Sequence, residues 1–282
     1  MAQIEIAQRL MLCCQLGQTV HPLSPREFYE LSEALRLYPD IPLSWDTLDA
    51  LGYSAEFRLR VSQLLDRQKA LEDYILAEPE IIPLWPGHAD YPLRLEQMQR
   101  DMPPVLFCQG DPDLLLSPAV SVVGSRDPEA ENAAFARDLG TQIAEEGFVL
   151  VSGNARGIDS IVQEACLAAG GKVIAFVPDT LKEYPKQENV LYVSDEGYDR
   201  FFTAQRALRR NRYIHALGHL TFVAQCAKTA GGTWQGSTDN LRHCRSPLYV
   251  FADGSEGCLA LQQLGARPLS SPPCSLKALC AD

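Results

Sequence analysis

Phe148-Val-Leu-Val-Ser-Gly-Asn-Ala-Arg-Gly-Ile-Asp159 is the stretch from which the rest of the chain is read. Residues 148–151 form a short apolar, β-branched run of the kind buried on both faces of a sheet. The chain breaks at Ser152-Gly153 and restarts as a helix near Gly157, because Ile158, Ile161, Val162, Ala165 and Cys166 fall at helical spacing. A strand that turns through glycines into a helix leaves backbone N–H groups unpaired at the positive end of the helix dipole. Such a turn suits an anionic oxygen. Arg156 lies in the turn and adds a guanidinium. Asp159, in the first turn of the helix, reads as a capping or dipole-compensating acid before it reads as a ligand.

Upstream, Ala119-Val-Ser-Val-Val-Gly-Ser-Arg126 repeats the design: apolar strand, glycine, hydroxyl, arginine, then a helix from about Pro128. Two adjacent strands ending this way would set both cradles along one edge of a parallel sheet, where open α/β sheets bind ligands. Neither turn matches G-x-G-x-x-G, and no G-x-x-x-x-G-K-[ST] occurs. Dinucleotide and P-loop readings therefore lack their fingerprint.

The alternation continues on both sides. It gives strand 119–124, helix 128–146, strand 148–152, helix 157–169 and strand 172–177. After a loop come a helix from about 200 to 216, strand 220–225, a helix from about 233 to 243, strand 247–252 and a helix from about 256 to 264. Repeated strand–helix units predict an α/β domain, a doubly wound, mainly parallel sheet with right-handed crossovers. Before it, Pro79, Pro83, Pro86, Pro92, Pro103, Pro104, Pro112 and Pro118 bracket strand 80–84, helix 92–98 and strand 105–108, a structured lead-in. Earlier still, Ser24-Pro25-Arg26-Glu27 is a capping box with proline at N1, opening a helix with Phe28, Leu31 and Leu35 inward. Leu48 and Leu51 before Gly52, then Phe57, Val61, Leu64, Leu65 and Leu71, extend the helical pattern. Residues 1–78 thus read as a small all-helical module, either a plain bundle or a SAM-like or helix-hairpin-helix-like unit. Residues 79–270 read as the α/β domain with its lead-in, and residues 271–282 as a tail.

No apolar run approaches the ~20 residues of a membrane span, and the N-terminus lacks the basic region of a secretory signal. Nine cysteines without a C-x-x-C pair argue against a disulfide framework and against a zinc site. A reducing cytoplasm and no membrane contact are expected. The net charge of −11 looks hostile to nucleic acid, but it is unevenly spread. Between Arg200 and Arg245 stand Arg200, Arg206, Arg209, Arg210, Arg212, Lys228, Arg242 and Arg245, against the single acid Asp239. A basic segment in an acidic chain points to a local anionic ligand.

With Val123-Gly-Ser-Arg126 and Ser152-Gly-Asn-Ala-Arg-Gly-Ile-Asp159 in view, the chain resembles the DNA-processing protein A (DprA/Smf) family over most of its length. Tyr91-Pro-Leu-Arg-Leu, Pro103-Pro-Val-Leu-Phe and Gly110-Asp111 look like the segment preceding that family's Rossmann-type domain. Tyr184-Pro185 with Glu188-Asn189 is similar to its Y-P-x-x-N. Arg209-Arg-Asn-Arg-Tyr-Ile-His-Ala-Leu217 is similar to its R-R-N-R-I-I-x-x-L, and Tyr249-Val-Phe-Ala to its late strand. The resemblance implies a Rossmann-like fold that binds single-stranded DNA during natural transformation, protects incoming strands and loads a RecA-type recombinase. It implies a homodimer, with no cofactor and no catalytic turnover. It places Gly124, Ser125, Arg126, Gly153, Arg156, Gly157, Arg209, Arg210 and Arg212 against DNA phosphates, with Lys228 as another candidate. Ser152, Asn211, Gly231, Gly232 and Thr233 complete the phosphate-binding set. Backbone phosphates need donors without base identity, which arginines and turn N–H groups supply. The chain departs from the family at Pro178-Asp179-Thr180, where a glycine-rich turn is usual, and at Gln225, where an acid is usual. Ser194-Asp195-Glu196-Gly197 replaces the family's S-E-Y-P-P-G.

A second reading comes from Ala230-Gly-Gly-Thr233, which resembles the P-G-G-x-G-T of the lonely-guy nucleoside-monophosphate phosphoribohydrolases. Those enzymes continue to a catalytic glutamate, whereas Trp234-Gln-Gly-Ser-Thr-Asp239 contains none. Glycosidic hydrolysis would lack the carboxylate that stabilises its ribosyl cation. A nucleotide-binding sensor using the same cradle is the form in which this alternative survives.

Overall fold

The structure is a computed structural model that describes residues 4–17, 20–196, 202–229 and 231–281. Gly197, Arg200 and Ala230 of the sequence reading lie outside the described residues. Five helices come first: α1 (Ile6–Cys13), α2 (Pro25–Arg36), α3 (Trp45–Ala50), α4 (Ala55–Leu65) and α5 (Gln68–Ala77). The capping box forms at α2: Ser24 Oγ accepts from the Glu27 N–H, and Glu27 Oε2 accepts from the Ser24 N–H at 2.7 Å. Leu12, Phe28, Leu31, Leu35, Leu48, Val61 and Leu64 pack into one core of their own. Leu10 and Met11 of α1 and Leu71 of α5 instead join the core beneath the sheet, so the helical segment is anchored to the α/β part by buried apolar contact. Among the described residues no helix is long and apolar enough to cross a membrane.

The α/β part runs β1 (Ile82–Leu84), α6 (Leu93–Glu96), β2 (Leu106–Gln109), β3 (Ala119–Val123), α7 (Ala130–Glu145), β4 (Val149–Ser152), α8 (Ile158–Ala168) and β5 (Lys172–Phe176). It continues with β6 (Val190–Ser194), α9 (Ala204–Leu217), β7 (Leu220–Val223), α10 (Gly231–His243), β8 (Leu248–Phe251), α11 (Glu256–Gln263), β9 (Arg267–Leu269) and α12 (Leu276–Ala281). The strands form one sheet in the order β1-β2-β6-β5-β4-β3-β7-β8-β9. Pairing is parallel from β6 across to β9 and antiparallel where β2 joins β6 and β1 joins β2. The period of two along each strand feeds two cores. Val120, Val122, Leu150 and Val173 face α7 and α8, through Phe135, Leu139, Ile158 and Val162. Ala119, Val123, Val151 and Ile174 face α9 and α11, through Tyr213, Ile214 and Leu261. This is a Rossmann-like doubly wound sheet. From β3 the chain winds one way through β4, β5 and β6, then returns to β7 on the other side of β3. The crevice between the ends of β3 and β7 is the topological switch point.

Two expectations need correcting. The stretch after Asn189 is not a loop: Val190-Leu-Tyr-Val-Ser194 is a fully buried strand, clamped between parallel β5 and antiparallel β2. Residues 271–282 are not a bare tail either. Leu276 is fully buried in the α7–α8 core, and Glu146, just past α7, accepts from the Leu276 N–H (2.9 Å) and the Lys277 N–H (3.0 Å). The sheet ends on β1 and β9, each three residues long and each carrying a proline, Pro83 and Pro268.

Candidate nucleic-acid interface

The turn after β3 is fixed by its backbone. Thr233 Oγ1 donates to the Gly124 carbonyl at 2.8 Å, and the Ile158 N–H donates to the Ser125 carbonyl at 3.0 Å. Ser125 Oγ accepts from the Asp127 N–H at 3.1 Å. Gly157 enters α8 at φ +85°, and a Cβ there would collide with the Ser125 and Arg126 carbonyl groups. Gly157 is thus required because the second turn lies against the first. Arg126 is left exposed, with no hydrogen bond or ion pair among the described residues.

The turn after β4 is closed by its own side chains. Asp159 is 9% exposed, and its Oδ2 accepts from the Ala155 N–H at 3.3 Å. Burial pushes this carboxyl up to about 6, while the nearby Arg210 guanidinium pulls it down. Arg210 is 4% exposed and reaches from α9 under the strand ends. Its Nη1 donates to the carbonyls of Gly153 and Phe176, the latter at 2.6 Å, bridging β4 and β5. Gly153 has no room for a Cβ because that guanidinium occupies the space. Ser152 is fully buried and accepts from Gln163 Nε2 at 3.1 Å, so its hydroxyl faces no ligand. Arg156 is exposed and pairs with Asp127 at 3.0 Å.

Arg209, Arg210 and Arg212 do not act as one cluster. At about 100° per residue, consecutive helical side chains leave in different directions. Arg209 turns towards the helical segment, meeting Asp195 (2.7 Å) and Glu196, and Asp195 above all holds its pKa above the usual arginine value. Arg206 joins Glu196 at 3.3 Å. Arg212 stands 3.6 Å from Asp239, which also takes Arg245 at 2.9 Å. Lys228 pairs with Glu256 at 2.5 Å. The basic segment is therefore not a free positive patch: acids from elsewhere in the fold pair Arg206, Arg209 and Lys228, and its own Asp239 takes Arg212 and Arg245.

A cavity of about 540 Å³ opens at the switch point, above β3 and β7. Gly124, Ser125 and Arg126 line it from the first turn, Arg210, Asn211 and His215 from α9, and Gly231, Gly232 and Thr233 from α10. A neighbouring cavity of about 300 Å³ shares Arg126, Arg210 and Phe202 and adds Gly153, Arg156 and Tyr184. The two form one groove along the strand ends, with exposed Arg126 and half-exposed Phe202 between them. Ser152, Gly157, Arg209, Arg212 and Lys228 line neither cavity. The sequence reading missed Phe202 and His215. Phe202 precedes Thr203, whose hydroxyl caps α9 by accepting from the Arg206 N–H, and that cap was the local signal for a ligand-side helix start.

Comparison with known proteins identifies the family and the fold. The chain is 32% identical over 194 residues to DNA processing protein DprA of Streptococcus pneumoniae, spanning 64% of this chain and 68% of that one. The X-ray structure of DprA from Streptococcus pneumoniae superposes with a TM-score of 0.69 at 25% identity, covering 89% of this chain and 96% of the other. DNA processing protein A of Helicobacter pylori, whose structure describes a single-stranded DNA binding mode, superposes with a TM-score of 0.59 at 25% identity, covering 72% and 94%. Residues 83–279 match the sequence profile of DNA recombination-mediator protein A, and to that family the chain belongs.

Proposed function

We propose that this protein binds single-stranded DNA along the groove at the ends of β5, β4, β3 and β7, without chemistry. The observation that carries the reading is Arg126: an exposed guanidinium with no direct ion pair or hydrogen bond among the described residues, at the rim of the switch-point cavity. A phosphate diester is the ligand that such a donor recruits. Phe202 offers an exposed ring beside it on which a base stacks. Arg156 adds a second contact by exchanging Asp127 for a phosphate. Asp159 is the one carboxylate among the described residues lining the larger cavity, and the Ala155 N–H and Arg210 already hold it. That supports binding over glycosidic hydrolysis. As family functions we further propose protection of incoming strands, delivery to a RecA-type recombinase in natural transformation, and action as a homodimer.

The test is fluorescence anisotropy with labelled oligo-dT, single- and double-stranded, at two salt concentrations. Salt-sensitive binding to the single strand is expected. No binding at low salt would refute the reading.

A further inference from the structure

The turn after β4 has the parts of an anion site and holds an anion of its own. Asp159, the second residue of α8, folds back onto the backbone N–H groups that precede the helix. Its Oδ2 accepts from the Ala155 N–H at 3.3 Å, and a Cβ at Gly153 would lie 2.6 Å from the same oxygen. Asp159 lines the 540 Å³ cavity, Gly153 lines the 300 Å³ one, and Ala155 lines both. The carboxylate therefore stands where the two cavities join.

More positive charge surrounds it than one carboxylate answers. Arg210 lines both cavities. Its Nη1 is spent on the Gly153 and Phe176 carbonyls, and its Nε has no hydrogen-bond partner. Arg126 lines both cavities too, and Gly157 seats this turn directly against it. Two guanidiniums from different elements thus converge on one acid. Ionised, Asp159 balances one of them; protonated, it balances neither. Burial raises its pKa to about 6, against the pull of Arg210, the Ala155 and Gly153 backbone, and Arg126. Tyr184 and Asp179 also face Arg210, and His215, on the wall of the larger cavity, titrates lower, at about 4.

Given the single-stranded DNA reading, on which this rests, we propose that Asp159 occupies a second phosphate site of the groove. Neutralising it opens that site to a strand phosphate, so that single-strand binding takes up a proton. A phosphate diester supplies to Arg210 the negative charge that the protonated acid has given up. Asp159 is thus a positioning residue that sets how many phosphates the groove holds.

The experiment titrates labelled oligo-dT without terminal phosphates against the wild type and Asp159→Asn, by anisotropy, at two salt concentrations and from about pH 8 down to about pH 5.5. Circular dichroism and melting at each pH establish that both are folded. At about pH 8, Asp159→Asn is expected to bind about 10-fold tighter than the wild type, the lower end for a charged hydrogen bond. Its salt slope should be steeper by about 0.7, one further phosphate on a single strand. As the pH falls through about 6, the wild type closes the gap and its own slope steepens. The readout is the ratio of variant to wild type, because acids elsewhere protonate alike in both. An acid with a merely structural role would leave the variant no tighter and the slope unchanged. Equal or weaker binding by folded Asp159→Asn at about pH 8, or a ratio that ignores pH, overturns the proposal while leaving DNA binding intact. Should the variant not fold, a wild-type slope that stays constant with pH overturns it and one that steepens supports it. Should no strand bind, the DNA reading itself fails, and inorganic phosphate in thermal denaturation decides the turn. A melting shift larger in Asp159→Asn than in the wild type supports the site, and equal shifts or none overturn it.

Discussion

After β3 the chain turns through Gly124, Ser125 and Arg126 and leaves its guanidinium uncommitted. After β4 it turns through Gly153, Asn154, Ala155 and Arg156 and fills its own cradle. The two stretches share glycine, polar residue and arginine in the same order, and both lead into a helix. What separates them is one acid. Asp159 stands in the first turn of α8 and reaches back to the turn's N–H groups, where an anion would otherwise bind. α7 begins further from its strand, beyond Asp127 and Pro128, and the acid there faces across to Arg156. A strand–glycine–helix turn is thus a ligand site only where the following helix brings no carboxylate of its own.

Breaking the closed turn should produce the largest effect. Arg210→Ala strands a buried carboxylate and two strand-end carbonyls, and is expected to cost about 3–5 kcal/mol in urea unfolding at neutral pH. A loss under about 1 kcal/mol would mean that Arg210 does not hold the turn together. Arg126→Ala should leave stability within about 0.5 kcal/mol. It should weaken single-strand binding by about 1.5–3 kcal/mol on all sequences alike, as loss of a charged hydrogen bond, with a salt slope shallower by about 0.7.

Titration sharpens the comparison further. Asp159 has a folded pKa raised to about 6, so between its unfolded value and about 6 the native state holds the extra proton and stability falls as pH rises. His215, lowered to about 4, does the opposite between about 4 and 6.5: the unfolded state holds the proton, and stability rises with pH. Each slope is at most about 1.4 kcal/mol per pH unit. Relative to the wild type, Asp159→Asn should therefore gain stability with pH between about 4 and 6, and His215→Leu should lose it. Urea midpoints at the two ends of that window measure both, and parallel curves would contradict the burial of these groups. The smallest effect belongs to Arg156→Ala, which removes an exposed pair with Asp127. Under about 0.5 kcal/mol of stability is expected, with less binding lost than for Arg126→Ala because Asp127 must first be exchanged.

Local pattern made much of this readable. The apolar runs and glycine turns around Ser121, Val151 and Phe222 predicted a parallel sheet, and those strands pair as parallel neighbours. The strand at Val190–Ser194 was not readable, because what makes it a strand is pairing with β2, from far earlier in the chain. The same divide runs through the site. Gly124, Ser125 and Arg126 could be read because a turn is set by adjacent residues. The arginines of α9 could not, because their fates depend on helix phase and on acids at Asp159, Asp195, Glu196 and Asp239, none adjacent to them in sequence. His215, a single polar letter between Ile214 and Ala216, is 1% exposed and lies beneath Gly236 of α10, a contact that nothing local in the sequence announces.

The short, proline-bearing strands that end the sheet bear on how copies of this protein meet. Pro83 and Pro268 each remove an N–H from an outermost strand, and neither strand offers more than three residues of ladder. Neither flank templates strand addition, so the sheet does not grow from one molecule into the next. The homodimer proposed above is therefore expected to use helix and loop side chains, surface residues open to substitution without disturbing the hydrogen-bonded frame.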